Sequence, residues 1–136
     1  MAKTYNCKLV KIALGNHIVS GLAEDSFVTI EELGDGTTSK AGCDGEVVRS
    51  VSPDGRCSVK LSLSQTSPTN AYLRKQLRRD RSDGEGYFPI IVKNLTGGEV
   101  FSAATAWVVK APSTGYGKEA GNREWELHAD EGEWEE

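Results

Sequence analysis

Residues 56–64 alternate strictly between polar and apolar side chains, and this pattern constrains the fold more than any other part of the chain. One side of the alternation carries the apolar residues Cys57, Val59, Leu61 and Leu63. Because successive side chains of a strand point to opposite faces, the pattern predicts a strand with one face in a core and the other in water. We therefore expect a protein built on β-sheet.

Several other segments have the composition of strands and are separated by turn residues. They are residues 7–14, 17–20, 27–33, 46–51, 87–93, 99–110 and 123–130. The sequence Ser-Pro-Asp-Gly at 52–55 predicts a hairpin that joins the strand at 46–51 to the strand at 56–64. Within 99–110 the alternation predicts one face made of Phe101, Ala103, Thr105, Trp107 and Val109. About seven strands at this spacing predict a β-sandwich or barrel.

One helix is predicted over residues 67–81, where Ser67 is a favourable N-cap and Pro68 a favourable first helical residue. A narrow apolar stripe of Tyr72, Leu73 and Leu77 predicts that this helix packs on the outside of a β core. The helix also carries the basic residues Arg74, Lys75, Arg78, Arg79 and Arg81. These charges leave three interpretations open: contact with nucleic acid, a solvated helix face, or docking on an acidic surface.

Two glycine-rich segments, residues 34–45 and 111–122, show neither strand nor helix periodicity. Structureless links of about twelve residues are uncommon in compact domains and are usually binding loops or mobile segments. We therefore expect both segments to be loops that contact a partner.

The charge of the chain is unevenly distributed along its 136 residues, a length typical of one domain. The net charge is −4, but residues 124–136 hold seven acids and no base, so the remainder carries +3. Such an asymmetry is typical of an interaction segment. In a homo-oligomer, the acidic end of one subunit can meet the basic helix of the next. The weak total charge argues against a dedicated nucleic-acid binder.

The cysteine count and the hydropathy pattern indicate where such a chain is made. Three cysteines without a Cys-x-x-Cys pair predict reduced thiols and synthesis in the cytoplasm. Lys8 and Lys11 interrupt the apolar residues of the first segment, which argues against a signal peptide. No apolar run approaches the ~20 residues of a membrane span, so we expect no stable membrane insertion.

No group of residues predicts catalysis or cofactor binding. His17 and His128 lie far apart, and neither has a metal-ligand neighbour three or four residues away. Adjacent acids such as Glu31 and Glu32 point to opposite faces of a strand, so they cannot form an acid–base couple. We therefore expect no enzymatic activity, no metal and no cofactor. A small enzyme that uses His128 with nearby acids stays open as an alternative.

Several short motifs follow one another in a specific order. The chain carries G-x-D-G-E-V-x-R-S at 42–50 and, after an alternating strand, Q-T-S-x-x-N at 65–70. Further along lie F-P-I-x-x-K at 88–93, A-W-V-x-K-A-P at 106–112 and R-E-W-x-L at 123–127. In these motifs, over roughly residues 26–130, the chain resembles the small tail tube proteins of contractile-tailed bacteriophages. It departs from them at its end, where EGEWEE replaces a glycine-rich terminus.

The resemblance implies a fold, an assembly and a set of partners. Such a subunit is a β-sandwich or half-barrel with one flanking α-helix, and hexameric rings of it share a continuous inner β-barrel. Stacked rings form the tail tube inside a contractile sheath, and DNA passes through the lumen without specific binding. The implied partners are the sheath protein, the tape measure protein, the baseplate and the tail terminator. The implied location is the virion tail.

Four groups of residues are the candidate sites of this single domain, residues 1–136. The segment 34–45 is expected to bridge rings through Asp35, Thr37, Lys40 and Asp44. A partner-contacting helix face is expected at Arg74, Lys75, Arg78, Arg79 and Arg81. The acidic end comprises Asp130, Glu131, Glu133, Glu135 and Glu136. Possible lumen residues are Arg49, Ser58, Lys60 and Ser62.

Other interpretations also fit the sequence. A phage-tail-like bacteriocin or a contractile secretion system uses a related tube, and the sequence does not separate these from a phage tube. A monomeric β-barrel binding module with the glycine-rich loops as its ligand site is an alternative of another class.

Overall fold

Strands dominate the structure, a computed structural model that describes residues 2–24, 26–34 and 36–135. Strand accounts for 46% and helix for 14%, so the expected mainly β fold with one helix is confirmed. In chain order the elements are a 3-10 turn Cys7–Leu9, β1 Val10–Leu14, β2 His17–Ile18, β3 Val28–Glu32, β4 Thr37–Ala41, β5 Val47–Val51, β6 Cys57–Ser64, α1 Thr69–Asp83, β7 Phe88–Asn94, β8 Glu99–Lys110, β9 Asn122–Ala129 and β10 Glu133–Glu135.

The described strands form one large antiparallel sheet and one small one. The large sheet has the order β2-β1-β7-β8-β9-β6-β3, and β10 also pairs with β8. Strands β9 and β10 pair with β8 one after the other and in the same register. Ala129 of β9 pairs with Ala106, and Trp134 of β10 pairs with Phe101. The small sheet is the two-stranded pair of β4 and β5.

The core lies on the face of the sheet that the alternation of residues 56–64 predicted. Cys57, Val59, Leu61 and Leu63 are all buried, and they meet the core-facing residues of β9 and β3. On the other face, Lys60 is exposed and Ser62 is half-buried. Ser58 departs from the prediction of a wet face, because it is buried and its hydroxyl has no hydrogen-bond partner among the described residues.

Strand β8 changes its buried face part-way along, which the alternation did not predict. Phe101 and Ala103 are buried as expected, but beyond them Ala106 and Val108 are buried in place of Trp107 and Val109. The pairing with β7 shifts by one residue in this region, between the Phe88 and Ile90 pairs. An extra residue in one strand reverses the face of everything after it, so the second half of the predicted face was wrong.

The helix α1 flanks the sheet as predicted, although it begins at Thr69 instead of at Ser67. Pro68 takes the N-cap position that was predicted for Ser67, while the Ser67 hydroxyl accepts a hydrogen bond from the Thr69 N–H. Leu73 and Leu77 are buried, and the helix ends at Gly84, whose φ of 74° is left-handed. Side-chain hydrogen bonds fix it to the sheet, among them those from Tyr72 Oη to the Leu14 carbonyl and from Trp125 Nε1 to Asn70.

The predicted hairpin between residues 46–51 and 56–64 was wrong, because β5 pairs with β4. The glycine-rich segment 34–45 is correspondingly not a structureless loop, since it contains β4. A tight turn joins the two strands: the Gly45 N–H donates to the Gly42 carbonyl, and Gly45 has a φ of 88°. At 52–55, the Asp54 carboxylate accepts hydrogen bonds from the backbone N–H and the guanidinium of Arg56, in the link between β5 and β6.

Candidate functional site

The two-stranded pair of β4 and β5, here called the ribbon, projects from the domain. Every residue of both strands is exposed. The exposed fractions of Val47, Val48 and Val51 are 60%, 59% and 73%. An isolated two-stranded ribbon is at best marginally stable in water, and clustered exposed apolar side chains are typical of interaction surfaces.

The residues that the sequence assigned to this segment lie along the ribbon. Thr37 and Lys40 belong to β4, and Asp44 lies in the turn, where its carboxylate accepts a hydrogen bond from the Glu46 N–H. Asp35 lies outside the described residues. At the base of the ribbon, the hydrogen bonds from Arg56 hold the pKa of Asp54 below its usual range.

The wet faces of β6 and β9 form a shallow cavity of about 610 Å³. Lys60 lies opposite Glu126, Ser62 lies opposite Glu124, and Lys110 completes the charged lining. These side chains alternate in sign, so the surface is strongly polar but nearly balanced in charge.

The four possible lumen residues do not share this surface. Lys60 and Ser62 line the cavity, but Ser58 is buried and Arg49 lies on the ribbon opposite Ser39. The sequence grouped the four because it placed both segments in one hairpin, and the hairpin does not exist.

The basic residues of α1 separate into two groups. Lys75, Arg78, Arg79 and Arg81 are exposed and form no ion pair with another described residue. Arg74 is also exposed, but its guanidinium lies against residues of the sheet and of the segment 111–121. Its guanidinium carbon lies 5.5 Å from the centre of the Trp125 ring, and its Nη2 donates to the Thr114 hydroxyl over 3.2 Å.

The acidic end is a folded part of the sheet, not a free interaction segment. Glu124 and Glu126 lie on β9, and Glu133 and Glu135 lie on β10, paired with Ser102 and Val100 of β8. Asp130 and Glu131 lie between these strands; Glu136 lies outside the described residues. The acids of residues 130–135 form no ion pair with another described residue.

Sequence reasoning missed Arg123, which lies at the start of β9 and is only 7% exposed. The alternation of residues 123–130 contained the signal, because it places Arg123 on the same face as the buried residues Trp125 and Leu127. An arginine on the core face of a strand is unusual and indicates a specific contact.

Both histidines contact other side chains. His17 Nε2 lies 2.9 Å from the Thr69 hydroxyl, and its ring stacks on Tyr72 with 4.6 Å between ring centres. His128 Nε2 lies 3.5 Å from a Glu126 oxygen. Within the described ranges, no three His, Cys, Asp or Glu side chains are grouped to hold a metal ion. No helix in the part of the chain that the structure describes is long and apolar enough to cross a membrane.

Solved structures that share this fold include a prophage cap and proteins of an extracellular contractile injection system. The anti-feeding prophage cap, a tube-terminating cap, superposes with a TM-score of 0.70 at 13% identity and covers 99% of this chain and 93% of the cap. A sheath/tube terminator of the extracellular contractile injection system PVC gives 0.73 at 10% identity, with 99% of each chain covered. A chain of the PVC sheath–tube complex gives 0.68 at 12% identity, covering 97% of this chain and 91% of that one.

The sequence of the chain is similar to those of bacteriophage proteins. Structural protein ORF10 of Pseudomonas phage KPP10 is 27% identical over 112 residues, which are 81% of this chain and 65% of that protein. The chain therefore matches just under two thirds of that relative's length. The family model described as Bacteriophage PhiTE tail tube protein matches residues 7–133. Since this match spans nearly the whole sequence, the chain belongs to the PhiTE-type family of phage tail tube proteins.

Proposed function

We propose that this structural protein of the phage tail assembles into hexameric rings, which stack into a tube through which DNA leaves the virion inside a contractile sheath. One observation carries the proposal: three valines of the ribbon are 59–73% exposed and lie outside the hydrophobic core formed by the described residues. Family membership supports the structural role in the virion and the absence of an enzymatic one.

The ribbon is the element that bridges successive rings. Complete burial of a valine side chain stabilises by about 1.5–3 kcal/mol. The three valines of the ribbon are 59–73% exposed, so their burial on a neighbouring subunit contributes roughly 3–5 kcal/mol per contact. That energy is large enough to order a ribbon that is marginal on its own.

The sheet edges supply contacts within a ring. Among the described strands, β3 pairs only with β6, and β2 pairs only with β1. Each edge leaves backbone N–H and C=O groups available, and such edges join sheets of neighbouring subunits readily. Pairing of this kind in a closed ring produces a continuous inner barrel.

The wet face of β6 and β9 is the proposed lining of the lumen. Lys60 and Lys110 lie beside Glu124 and Glu126 on this face. DNA meets no concentrated positive charge there, so it passes without being held. Ser62 adds an uncharged polar group, whereas Ser58 and Arg49 are not part of this lining.

The exposed bases of α1 form the proposed contact with the sheath. Lys75, Arg78, Arg79 and Arg81 are free to pair with an acidic partner surface. The acidic end of a neighbouring subunit is the other candidate partner of these bases. The tape measure protein, the baseplate and the tail terminator complete the proposed partners.

The decisive experiment removes the apolar character of the ribbon. In the variant Val47→Ser/Val51→Ser, both substitutions fall on one face of β5, and both side chains are mostly exposed in the subunit. We expect a folded monomer with an unchanged Tm and a critical concentration for tube formation at least about thirtyfold higher, since about 2 kcal/mol or more of burial is lost per contact. Leu95→Ser removes an apolar side chain that is 58% exposed and lies outside the ribbon, so it is the control and is expected to assemble normally. Tubes of normal length and yield from the double variant contradict the bridging role.

Two other functions lead to different observations. The fold is shared with injection-system proteins, so the tube of a bacteriocin or secretion system is the second candidate. Neighbouring genes for a capsid favour the phage tube, whereas neighbouring genes for a toxin favour the second candidate. A binding module stays monomeric in size-exclusion chromatography at high concentration. Rings or tubes in negative stain exclude that interpretation.

A further inference from the structure

Arg123 places a charged guanidinium in the interior without a carboxylate. The residue is 7% exposed, and no acid lies within ion-pair distance among the described residues. Its hydrogen bonds, from Nη1 to the Asn122 carbonyl and from Nη2 to the Gly115 carbonyl, are both long at 3.4 Å. The guanidinium carbon also lies 5.7 Å from the centre of the Tyr116 ring.

The guanidinium of Arg74 lies at the same pocket as that of Arg123. Arg74 and Arg123 both line a pocket of about 250 Å³, together with Asn70, Thr114, Tyr116 and Trp125. The pocket lies between the first turns of α1, the segment 111–121 and the start of β9. Its lining therefore carries two positive charges and no acid.

This arrangement is costly for an isolated subunit. Withdrawing a charged group from water costs several kcal/mol unless a counter-charge compensates it. Arginine pairs well with carboxylates because its planar fork matches both oxygens. A pocket with two arginines and no acid therefore favours the binding of an anion from outside the subunit.

We propose that the pocket binds a carboxylate side chain from residues 130–135 of a second copy of this chain. This inference rests on the proposed assembly. The four acids Asp130, Glu131, Glu133 and Glu135 have no basic partner within the described part of their own subunit. They are also held at and beside β10, so docking requires little ordering of the chain. An acid of the sheath and a phosphate group are the competing occupants.

The first test compares the stability of the monomer with its assembly. Arg123→Met removes the buried charge and keeps much of the volume, so we expect the Tm of the monomer to stay the same or rise. The critical concentration for tube formation is expected to rise at least about tenfold, because the incoming carboxylate loses its partner. Arg74→Gln, which changes a more exposed side chain, is expected to act in the same direction. Lys118→Gln removes one charge from the same segment without lining the pocket, and it should assemble like the wild type.

The second test identifies the acid by charge exchange. Arg74→Glu is expected to abolish assembly. One of Asp130→Lys, Glu131→Lys, Glu133→Lys or Glu135→Lys in the same chain should restore it, with a tube yield at least tenfold above that of Arg74→Glu alone. Glu24→Lys makes the same change in net charge as the three glutamate variants elsewhere and should restore nothing. Failure of all four, or equal restoration by Glu24→Lys, overturns the proposed occupant and favours a sheath acid or a phosphate group.

The two levels of the proposal fail in different ways. A wild-type chain that never forms rings or tubes contradicts the proposed function itself. A wild type that assembles, together with Arg123→Met and Arg74→Gln variants that assemble equally well, contradicts only the pocket.

Discussion

The close packing around Gly132 determines how much an added methyl group should lower the thermal stability of the protein. Gly132 lies in the bend between β9 and β10. A Cβ added there would lie 2.6 Å from Phe101 Cε1 and 2.8 Å from Cys57 Sγ. Phe101 and Cys57 are 0% and 3% exposed, so neither side chain has free space into which it can move. Gly132→Ala therefore forces β10 away from β8 or displaces the core.

Overpacking of this kind costs about 1–3 kcal/mol. For a domain of this size the entropy of unfolding is about 290 cal/mol/K near the midpoint. The expected decrease in Tm is accordingly about 3–10 °C, with no contribution from backbone strain because the φ of Gly132 is not in the left-handed region.

The assay is thermal unfolding followed by circular dichroism, at a protein concentration where sedimentation velocity detects only monomer. Gly117→Ala is the control, since a Cβ at Gly117 has no neighbour within 4 Å. Its Tm should be unchanged or slightly raised. Adding Cys57→Ala to Gly132→Ala should recover part of the loss by making room beside the new methyl group. A Tm for Gly132→Ala within about 1 °C of the wild type contradicts the packing described here.

Two further measurements check other parts of the structure. Asn70→Ala removes the oxygen that accepts the hydrogen bond of the Trp125 indole N–H over 2.9 Å. In urea titrations, the free energy of unfolding should fall by about 1–3 kcal/mol. A loss below about 0.5 kcal/mol contradicts that bond. Burial, and secondarily a neighbouring acid, raises the pKa of the Cys57 thiol. At about pH 8, a thiol reagent should therefore label the exposed Cys7 and Cys43 quickly, and Cys57 only after the protein unfolds. Rapid labelling of all three thiols in the folded monomer contradicts the buried position.

The elements that depend on local chemistry could be predicted from the sequence. Strand β6 and helix α1 were placed within two residues, because the alternation of β6 and the Ser-Pro pair at the start of α1 are local features of the sequence. The buried face of β6 followed from the same alternation. The resemblance of the motifs indicated the family that the comparisons then confirmed.

The pairing of strands and the candidate surfaces depended on contacts that the sequence pattern does not contain. Strand β5 could pair with β4 or with β6, and both links carry turn residues, so only the three-dimensional arrangement decides. The bulge in β8 depends on its register with β7. Arg123 gains its significance from Arg74, which is distant in sequence and close in space.

The ribbon has a consequence for the ends of the polymer. A subunit that gives its ribbon to one neighbour and receives a ribbon from another forms a head-to-tail contact, so the two ends of a stack of such subunits differ. In the proposed tube, the exposed valines of the ribbon lie at one end, and the surface that would receive them lies at the other. Growth at the two ends is then expected to have different rates, and the proteins that close the two ends need opposite shapes. In this proposal, a single β-ribbon gives the tube a direction.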